Sequence, residues 1–245
     1  FQPYLSPLML NRGCVDIKVS PAAKGKAGTV EITPESDYYQ LNNRSISLHP
    51  EAGKLKITRD WLTNGNTIDV SGSVSSVRKR TLNLYDSKRF FMDTFCYKLK
   101  KEGLSVSKDS IFFLTTPDTV QWIYTCRRPV ETVLKRALKE SDNLSAEALF
   151  RQLGRMNGKH TSHISFKDCQ GVVEGFMRNT LGYDSENYQI VDGSGVSLYN
   201  YVSPRLVLAY LNYAYRHPSL FRVFYDCLPV AGVDGTLQGR MRTGK

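Results

Sequence analysis

The octapeptide Glu140–Ser141–Asp142–Asn143–Leu144–Ser145–Ala146–Glu147 joins two segments with helical periodicity. Upstream of it, apolar residues recur at i, i+3, i+4, i+7 and i+8, which predicts one face of a helix. These residues are Val130, Val133, Leu134, Ala137 and Leu138. Downstream, the sequence predicts a second helix with a Glu147–Arg151 ion pair on its polar side. The apolar face predicted for this second helix consists of Leu144, Ala148, Leu149 and Leu153.

Three small polar residues, Ser141, Asp142 and Asn143, interrupt this helical pattern. Such side chains compete for backbone hydrogen bonds and are unfavourable inside a helix. A short break here would direct the Ser141 hydroxyl and the Asn143 carboxamide sideways from between two packed helices. Alternatively, Asp142 or Asn143 serves only as the N-cap of the second helix. The tripeptide alone leaves both interpretations open.

Two later blocks accompany this tripeptide, Asp192–Gly193–Ser194–Gly195–Val196–Ser197 and Leu228–Pro229–Val230–Ala231–Gly232–Val233–Asp234–Gly235–Thr236–Leu237. Together with Ser-Asp-Asn and the following Ala-Glu, they resemble the penicillin-binding carboxypeptidases of the class C type, peptidase family S13, which are D-alanyl-D-alanine carboxypeptidase/endopeptidases. The blocks follow the order of that family at roughly its spacing. Residues Leu8–Asn11 and Cys14–Val19 also resemble its pattern, so the resemblance spans nearly the whole chain.

The resemblance implies an α+β fold with two domains. Residues 1–117 would form a sheet-rich accessory domain, and residues 118–245 would form a mainly helical part of a penicillin-binding, serine β-lactamase-like transpeptidase domain. The catalytic residues would be Ser141, whose hydroxyl relays a proton near the leaving group, and Asn143, whose amide bonds the nucleophile's lysine and the substrate backbone. Partners would be peptidoglycan stem peptides and β-lactams, and the location would be the periplasm or cell envelope.

Two other motifs of penicillin-binding enzymes, Ser-x-x-Lys and Lys-Thr-Gly, have no convincing match. Ser76–Val77–Arg78–Lys79 and Ser105–Val106–Ser107–Lys108 have the right spelling, but neither opens an apolar helix that could bury the lysine and lower its pKa. Thr243–Gly244–Lys245 has the third motif's residues in the wrong order. We therefore interpret the sequence as an internal part of a longer enzyme, inactive alone because it lacks the nucleophile, the base and the oxyanion strand.

The glycine-rich blocks allow two interpretations. Asp192, Gly193, Ser194 and Gly195 are candidate substrate-binding residues, but a glycine-rich strand-to-loop turn is the favoured interpretation. Many family members have Arg after Gly-Ser-Gly-Leu-Ser, whereas this chain has Leu198, which leaves that part of the specificity open. Gly232–Thr236 is predicted to be a buried turn in preference to a ligand site.

Composition limits the class of protein. With 245 residues and 41% hydrophobic content the chain can form a real core, and no apolar run approaches the ~18 residues of a membrane span. A net charge of +10 favours anionic surroundings. The basic residues are scattered, and the clusters at Arg78–Lys79–Arg80 and at Lys98, Lys100 and Lys101 are expected to be solvated faces. A non-catalytic wall-binding relative and a nucleic-acid-binding module remain alternatives, although the latter would show a basic stripe with aromatics.

Neither cysteine nor histidine indicates a metal or cofactor. The five cysteines lack CxxC spacing, and most are expected to be small buried hydrophobes. The four histidines do not cluster, so we assign no metal, no cofactor and no histidine base.

Residues 1 to about 85 are predicted to be β-structure, with a hairpin turn at Asn64–Gly65. A helix is predicted over Asp86–Glu102, followed by strands at Ile111–Leu114 and Val120–Tyr124. Later helices should begin at a capping box of Ser165 with Asp168 and at Ser203–Pro204, the latter extending to Tyr215.

Overall fold

The chain divides between Leu114 and Thr115 into two compact units. The computed structural model describes residues 6–107, 109, 111–114, 119, 121, 124–156 and 164–242. Over these residues the first unit contains strands and one helix, and the second contains five α-helices. The predicted α+β class is confirmed.

The first unit has two three-stranded sheets over its described residues. Its elements are β1 (Cys14–Ser20), β2 (Thr29–Thr33), β3 (Gln40–Ser47), β4 (Lys56–Arg59), β5 (Thr67–Val74), β6 (Arg78–Asn83) and α1 (Ser87–Lys101). In one sheet, β1 lies between β2 and β6 and is antiparallel to both. In the other, β5 pairs in parallel with β3 and antiparallel with β4.

Both sheets contribute to one hydrophobic core. Alternate residues of β1, Val15, Ile17 and Val19, are buried there, while Lys18 faces outward and pairs with Glu31 at 3.0 Å. The core also contains Ile57, Ile68, Val70, Val74, Leu84 and Phe90, the last from α1. The period-2 alternation of the sequence thus places apolar side chains inside and charges outside, as a half-buried strand requires.

Several predicted boundaries are confirmed. Asp86 caps α1 by accepting a hydrogen bond from the Arg89 amide at 2.9 Å, and α1 ends at Lys101. The loop containing Asn64–Gly65 joins β4 to β5, with Arg59 opposite Ile68. The predicted pattern missed two strands, β3 and β6, because their sequences are polar and lack apolar alternation.

The strand predicted at Ile111–Leu114 is wrong. These residues form no strand, and Phe112 and Leu114 are 74% and 84% exposed. Apolar character alone does not make a strand when no partner supplies the hydrogen bonds. The predicted strand Val120–Tyr124 lies largely outside the described residues.

The second unit is helical in its described part. Its helices are α2 (Val130–Lys139), α3 (Asn143–Met156), α4 (Phe166–Phe176), α5 (Pro204–Tyr215) and α6 (Pro218–Asp226). The Ser165–Asp168 capping box is present at the start of α4. Ser203 caps α5, accepting from the Leu206 amide at 3.2 Å. Both predicted helix starts are therefore confirmed.

Cysteine burial follows the sequence prediction in part. Cys96, Cys169 and Cys227 are buried, Cys14 is half-buried and Cys126 is exposed, and all five are free thiols.

No helix within the described ranges combines the length and the apolar character that crossing a bilayer requires.

Burial of β1 leads to a stability prediction. Val19→Ala removes two methyl groups from a side chain that is 0% exposed, so the free energy of unfolding of the first unit should fall by about 2–3 kcal/mol. Val77→Ala is the matched control, because Val77 is 52% exposed and its truncation should cost less than about 0.5 kcal/mol. Calorimetric unfolding of the chain measures both, and equal losses would contradict this core.

Candidate functional site

The α2–α3 connection places the Ser-Asp-Asn tripeptide at a sharp break. Helix α2 ends at Lys139 and α3 begins at Asn143. Between them, Ser141 adopts a left-handed backbone with φ +53°. The buried Asp142 carboxylate accepts hydrogen bonds from the Ser145 amide at 3.1 Å and the Ser145 hydroxyl at 2.6 Å. Asp142 is therefore the N-cap of α3, and the cap role belongs to neither Ser141 nor Asn143.

The two predicted catalytic side chains flank this cap. Ser141 is exposed and Asn143 is half-buried. Within the described part of the chain, neither the Ser141 hydroxyl nor the Asn143 carboxamide hydrogen-bonds another residue. Both groups are thus available to a ligand, and their catalytic roles stay predictions.

The Asp192–Gly195 block packs on the first turns of α3. Glu147 is 4% exposed, and its Oε1 accepts hydrogen bonds from the Ser194 amide at 3.1 Å and the Ser194 hydroxyl at 2.7 Å. Glu147 lies four residues after Asn143, so the two share one face of α3. The contact therefore holds the glycine-rich block one helical turn from Asn143.

Gly193 lets this block approach the helix closely. A Cβ at Gly193 would lie 2.5 Å from the Cβ of Phe150 and 2.6 Å from the Ala146 carbonyl oxygen. Because real Cβ atoms do not come so near, only glycine fits without a shift of the turn. The next glycine, Gly195, has φ +72°. The predicted turn is confirmed, with close approach as an additional reason for glycine.

Asp192 fixes the shape of the turn. Its carboxylate accepts hydrogen bonds from the amides of Gly195 and Ser197, both at 2.7 Å, and from the Asn200 side chain at 2.9 Å. Burial alone would raise the pKa of Asp192, but these hydrogen bonds outweigh it and hold the pKa below its usual value. Asp192 thus acts as an ionised anchor for the loop, and contact with substrate stays a prediction.

The third block packs against the other side of the break, at the end of α2. Lys139 forms an ion pair with Asp234, which lowers the pKa of that carboxyl group. A Cβ at Gly235 would lie 2.3 Å from the Lys139 carbonyl oxygen. The prediction of a buried turn is wrong, because this turn is half-exposed and Val233 is 65% exposed. An ion pair and a close backbone contact hold it in place of apolar burial.

The structure therefore brings the three sequence blocks together at the α2–α3 break. The Asp234 turn contacts the last residue of α2, and the Ser194 turn contacts Glu147 of α3. This arrangement can donate and accept hydrogen bonds from neutral groups. It does not itself generate a nucleophile, which needs an adjacent base. Lys139 cannot serve Ser141 in that role while it is paired with Asp234.

Two sequence predictions for α3 are wrong. The buried face consists of Glu147, Phe150 and Gly154, whereas Ala148 is exposed and Leu153 is 40% exposed. The reason is close packing through a small residue, because a Cβ at Gly154 would lie 2.7 Å from the sulfur of Cys169 in α4. An apolar-periodicity argument ignores glycine and cannot detect such a face.

The predicted Glu147–Arg151 ion pair is absent because each of the two side chains binds another group. Glu147 turns inward to Ser194, and Arg151 donates to the Ile164 carbonyl at 2.7 Å and lies over the Phe166 ring at 3.7 Å. Sequence reasoning missed Glu147 as a site residue. The only signal was a carboxylate four residues after Asn143, which also fits an ordinary exposed helix pair.

The two segments that match Ser-x-x-Lys in sequence, Ser76–Lys79 and Ser105–Lys108, do not have the setting of a nucleophile in the structure. Ser76 is exposed and precedes strand β6, not a helix. Ser105 is exposed and follows the end of α1, and the Lys108 of the same string lies outside the described residues. The histidines His160 and His163 and the tripeptide Thr243–Lys245 also lie outside the described residues. Among the residues that are described, no group of three or more His, Cys, Asp or Glu side chains could hold a metal ion.

Comparison with known proteins identifies the family. The sequence profile of the D-Ala-D-Ala carboxypeptidase 3 (S13) family matches residues 1–245. The chain belongs to this S13 family. D-alanyl-D-alanine carboxypeptidase DacB of Haemophilus influenzae is 33% identical over 113 residues, 46% of this chain and 23% of that protein. Penicillin-sensitive carboxypeptidase A of Dictyostelium discoideum is 26% identical over 251 aligned residues, 96% of this chain and 46% of that protein.

Solved structures support the same fold. The crystal structure of penicillin binding protein 4 (dacB) from Haemophilus influenzae, complexed with a β-lactam, matches 95% of this chain and 54% of that chain with a TM-score of 0.69 and 20% identity. The α+β arrangement is therefore that of this penicillin-binding S13 structure. The chain spans less than half the length of each of these two relatives, so the activity of a whole S13 enzyme does not follow from the match alone.

The tight contact at Gly193 leads to a second prediction. Gly193→Ala should force the turn away from α3 and lower the free energy of unfolding of the second unit by about 1–3 kcal/mol. Gly171→Ala in α4 is the control, since no atom lies within 4 Å of its added Cβ and alanine should stabilise a helix by up to ~1 kcal/mol. Calorimetry compares the two variants, and a stable Gly193→Ala would show that the turn can separate from the helix at little cost.

Proposed function

We propose that this chain is part of a serine-type D-Ala-D-Ala carboxypeptidase or endopeptidase that acts on peptidoglycan stem peptides through an acyl-enzyme. The observation that carries the proposal is the convergence of the three sequence blocks at the α2–α3 break, where Ser141 and Asn143 keep their polar groups available. Membership of the S13 family and the names of the matched relatives support the reaction class.

The proposed division of labour follows from the chemistry of the two groups. In acyl transfer, the departing amine must gain a proton as the peptide bond breaks. The exposed Ser141 hydroxyl can pass a proton to that leaving group, and the Asn143 amide can hold the substrate backbone and the nucleophile's lysine. The proposal requires a Ser-x-x-Lys and a Lys-Thr-Gly motif from residues other than these 245.

The two compact units receive different roles in this proposal. Residues 118–245 would belong to the catalytic domain, because they contain the α2–α3 break and both glycine-rich turns. Residues 1–117 would form an accessory domain, since the two sheets and α1 enclose a core of their own. Substrate-binding roles for Asp192, Gly193, Ser194 and Gly195 remain part of the proposal, as does a place in the periplasm or cell envelope, where peptidoglycan is found.

The central prediction concerns Ser141 in the full-length protein. Ser141→Ala should slow the release of D-Ala from a peptide ending in D-Ala-D-Ala by about 10²–10⁴-fold, the usual contribution of a positioned proton-transfer group. Thermal unfolding should change little, because Ser141 is exposed and makes no hydrogen bond to another described residue. Asn143→Ala should lower activity too, partly through weaker substrate binding, without loss of the α3 cap.

Ser105→Ala is the matched control for this experiment. Ser105 is exposed, lies in the first unit and begins one of the misleading Ser-x-x-Lys strings. Its removal should leave D-Ala release unchanged. Activity of Ser141→Ala within twofold of the wild type, with the fold intact, would show that the tripeptide provides only a helix cap and a turn.

A second test uses the 245-residue chain itself. Acylation by penicillin needs a serine activated by a nearby lysine, and Lys139 is already paired with Asp234. The chain should therefore give no covalent band with a fluorescent penicillin after denaturation, whereas a catalytically complete S13 enzyme gives one. A stoichiometric band on this chain would reveal a nucleophile among its own serines, and variants of Ser76 and Ser105 would test the first candidates.

A further inference from the structure

A basic cleft lies in the first unit, and none of its residues has a role in the proposed reaction. Its volume is about 760 Å³, and it is bounded by β6, the end of β5 and the segment leading into β4. The polar residues that define this basic cleft are Lys54, Ser73, Ser75, Ser76, Arg78, Lys79 and Arg80. Leu55 and Ile57 provide its apolar floor. All of these residues belong to one compact unit, so the cleft needs no contact between the units.

The strand register explains why two arginines enter this cleft. Arg78 and Arg80 of β6 lie opposite Val19 and Ile17 of β1, whose side chains are buried in the core. Directly opposed residues of antiparallel strands lie on the same face of the sheet. Both arginines therefore project from the core-side face, about 7 Å apart along the strand. Since β6 is an edge strand, they extend past the core into the cleft, which Lys79, between them on the other face, also lines.

The charges of the cleft are not balanced within the protein. No acidic residue is among those that line it. In the described part of the chain, the side chains of Lys54, Arg78 and Arg80 form no ion pair or hydrogen bond. Other cations of the same unit are paired, for example Lys18 with Glu31 and Arg44 with Asp69. Unpaired guanidinium groups beside serine hydroxyls are suited to bind carboxylate or phosphate oxygens, which arginine holds with two parallel hydrogen bonds.

Two simpler explanations of the arginines in this cleft leave part of its lining unexplained. Inward-pointing charges on an edge strand protect the strand from pairing with another chain, but a single charge is enough for that protection. The protection also needs no cleft lined by hydroxyl groups. A site for single-stranded nucleic acid would provide aromatic side chains on which bases stack. None of the residues lining this cleft is aromatic. The lining therefore favours an anion without stacking bases.

We propose that the basic cleft binds carboxylate groups of peptidoglycan stem peptides and so keeps the protein on the polymer that it cuts. This inference rests on the proposed function for the identity of the polymer. Every uncleaved stem peptide of a D-Ala-D-Ala carboxypeptidase substrate ends in a carboxylate, so the polymer presents this group repeatedly. Charge complementarity and the pair of guanidinium groups on one strand face select such a ligand.

The test is sedimentation of the 245-residue chain with purified, insoluble peptidoglycan. The double variant Arg78→Gln/Arg80→Gln should bind about 10-fold more weakly, because it loses two charge-assisted contacts. The matched control is Lys98→Gln/Lys100→Gln, which removes two positive charges from exposed positions of α1. It should bind within twofold of the wild type. Peptidoglycan whose carboxylates have been converted to amides should bind the wild type as weakly as native peptidoglycan binds the arginine variant.

Several results would overturn the inference. These are no binding of the wild-type chain, equal losses in the two double variants, and unchanged binding to amidated peptidoglycan. Tighter, Arg78- and Arg80-dependent retention of nonspecific duplex DNA at the same ionic strength would assign the cleft to nucleic acid instead. Thermal unfolding should be alike in both variants, since the replaced side chains are exposed.

Failure of this inference can be separated from failure of the proposed function. The full-length protein should release D-Ala from a short soluble peptide whether or not Arg78 and Arg80 are replaced, because a free peptide needs no second attachment. Normal release combined with unchanged peptidoglycan binding in the arginine variant would refute the cleft alone. Absence of D-Ala release by the wild type would refute the proposed function.

Discussion

The buried carboxylate of Glu147 fixes the geometry of the candidate site. A charge removed from water is very costly unless hydrogen bonds compensate it. Here the compensation is partial, because the amide and the hydroxyl of Ser194 both bind Oε1, while the buried Oε2 has no hydrogen-bond partner among the described residues. Withdrawal of the Ser194 turn would leave Glu147 without these donors, so the turn and α3 must move together. On the other side of the break, the partly exposed Lys139–Asp234 ion pair holds the Asp234 turn against the end of α2.

The sequence predicted helix α2 and the start of α5 because their signals are local. Apolar periodicity indicated α2, and Ser203–Pro204 identified the first residues of α5, since capping depends on residues only a few positions apart. The position of Ser141 and Asn143 at a break could also be predicted, because short polar side chains disfavour a helix interior. The resemblance to the S13 family added the chemistry, which periodicity alone could not supply.

The contacts that assemble the site could not be predicted, because they join residues far apart in the chain. Glu147 has the sequence environment of an exposed helix residue, and only Ser194, 47 positions later, reveals that it is buried. Gly154 and Gly193 also give no signal in the sequence, because they have no apolar side chain. Both nevertheless lie where a neighbouring residue leaves no room for a Cβ. The two missed strands, β3 and β6, have a related cause. Their hydrogen bonds come from pairing partners, while their own residues are mostly polar.

The backbone at Ser141 bears on the choice between a turn and a site. A left-handed conformation costs a non-glycine residue roughly 1–2 kcal/mol, and glycine adopts it freely. This chain places glycine at other close or left-handed positions of the same region, Gly193, Gly195 and Gly235. At residue 141, however, it has serine with φ +53°, although the side chain is exposed and caps nothing. Leu48 and Met241 share this left-handed backbone, both at φ +54°, so the conformation alone assigns no function to Ser141, and the proposed proton relay rests on its exposed hydroxyl group at the α2–α3 break.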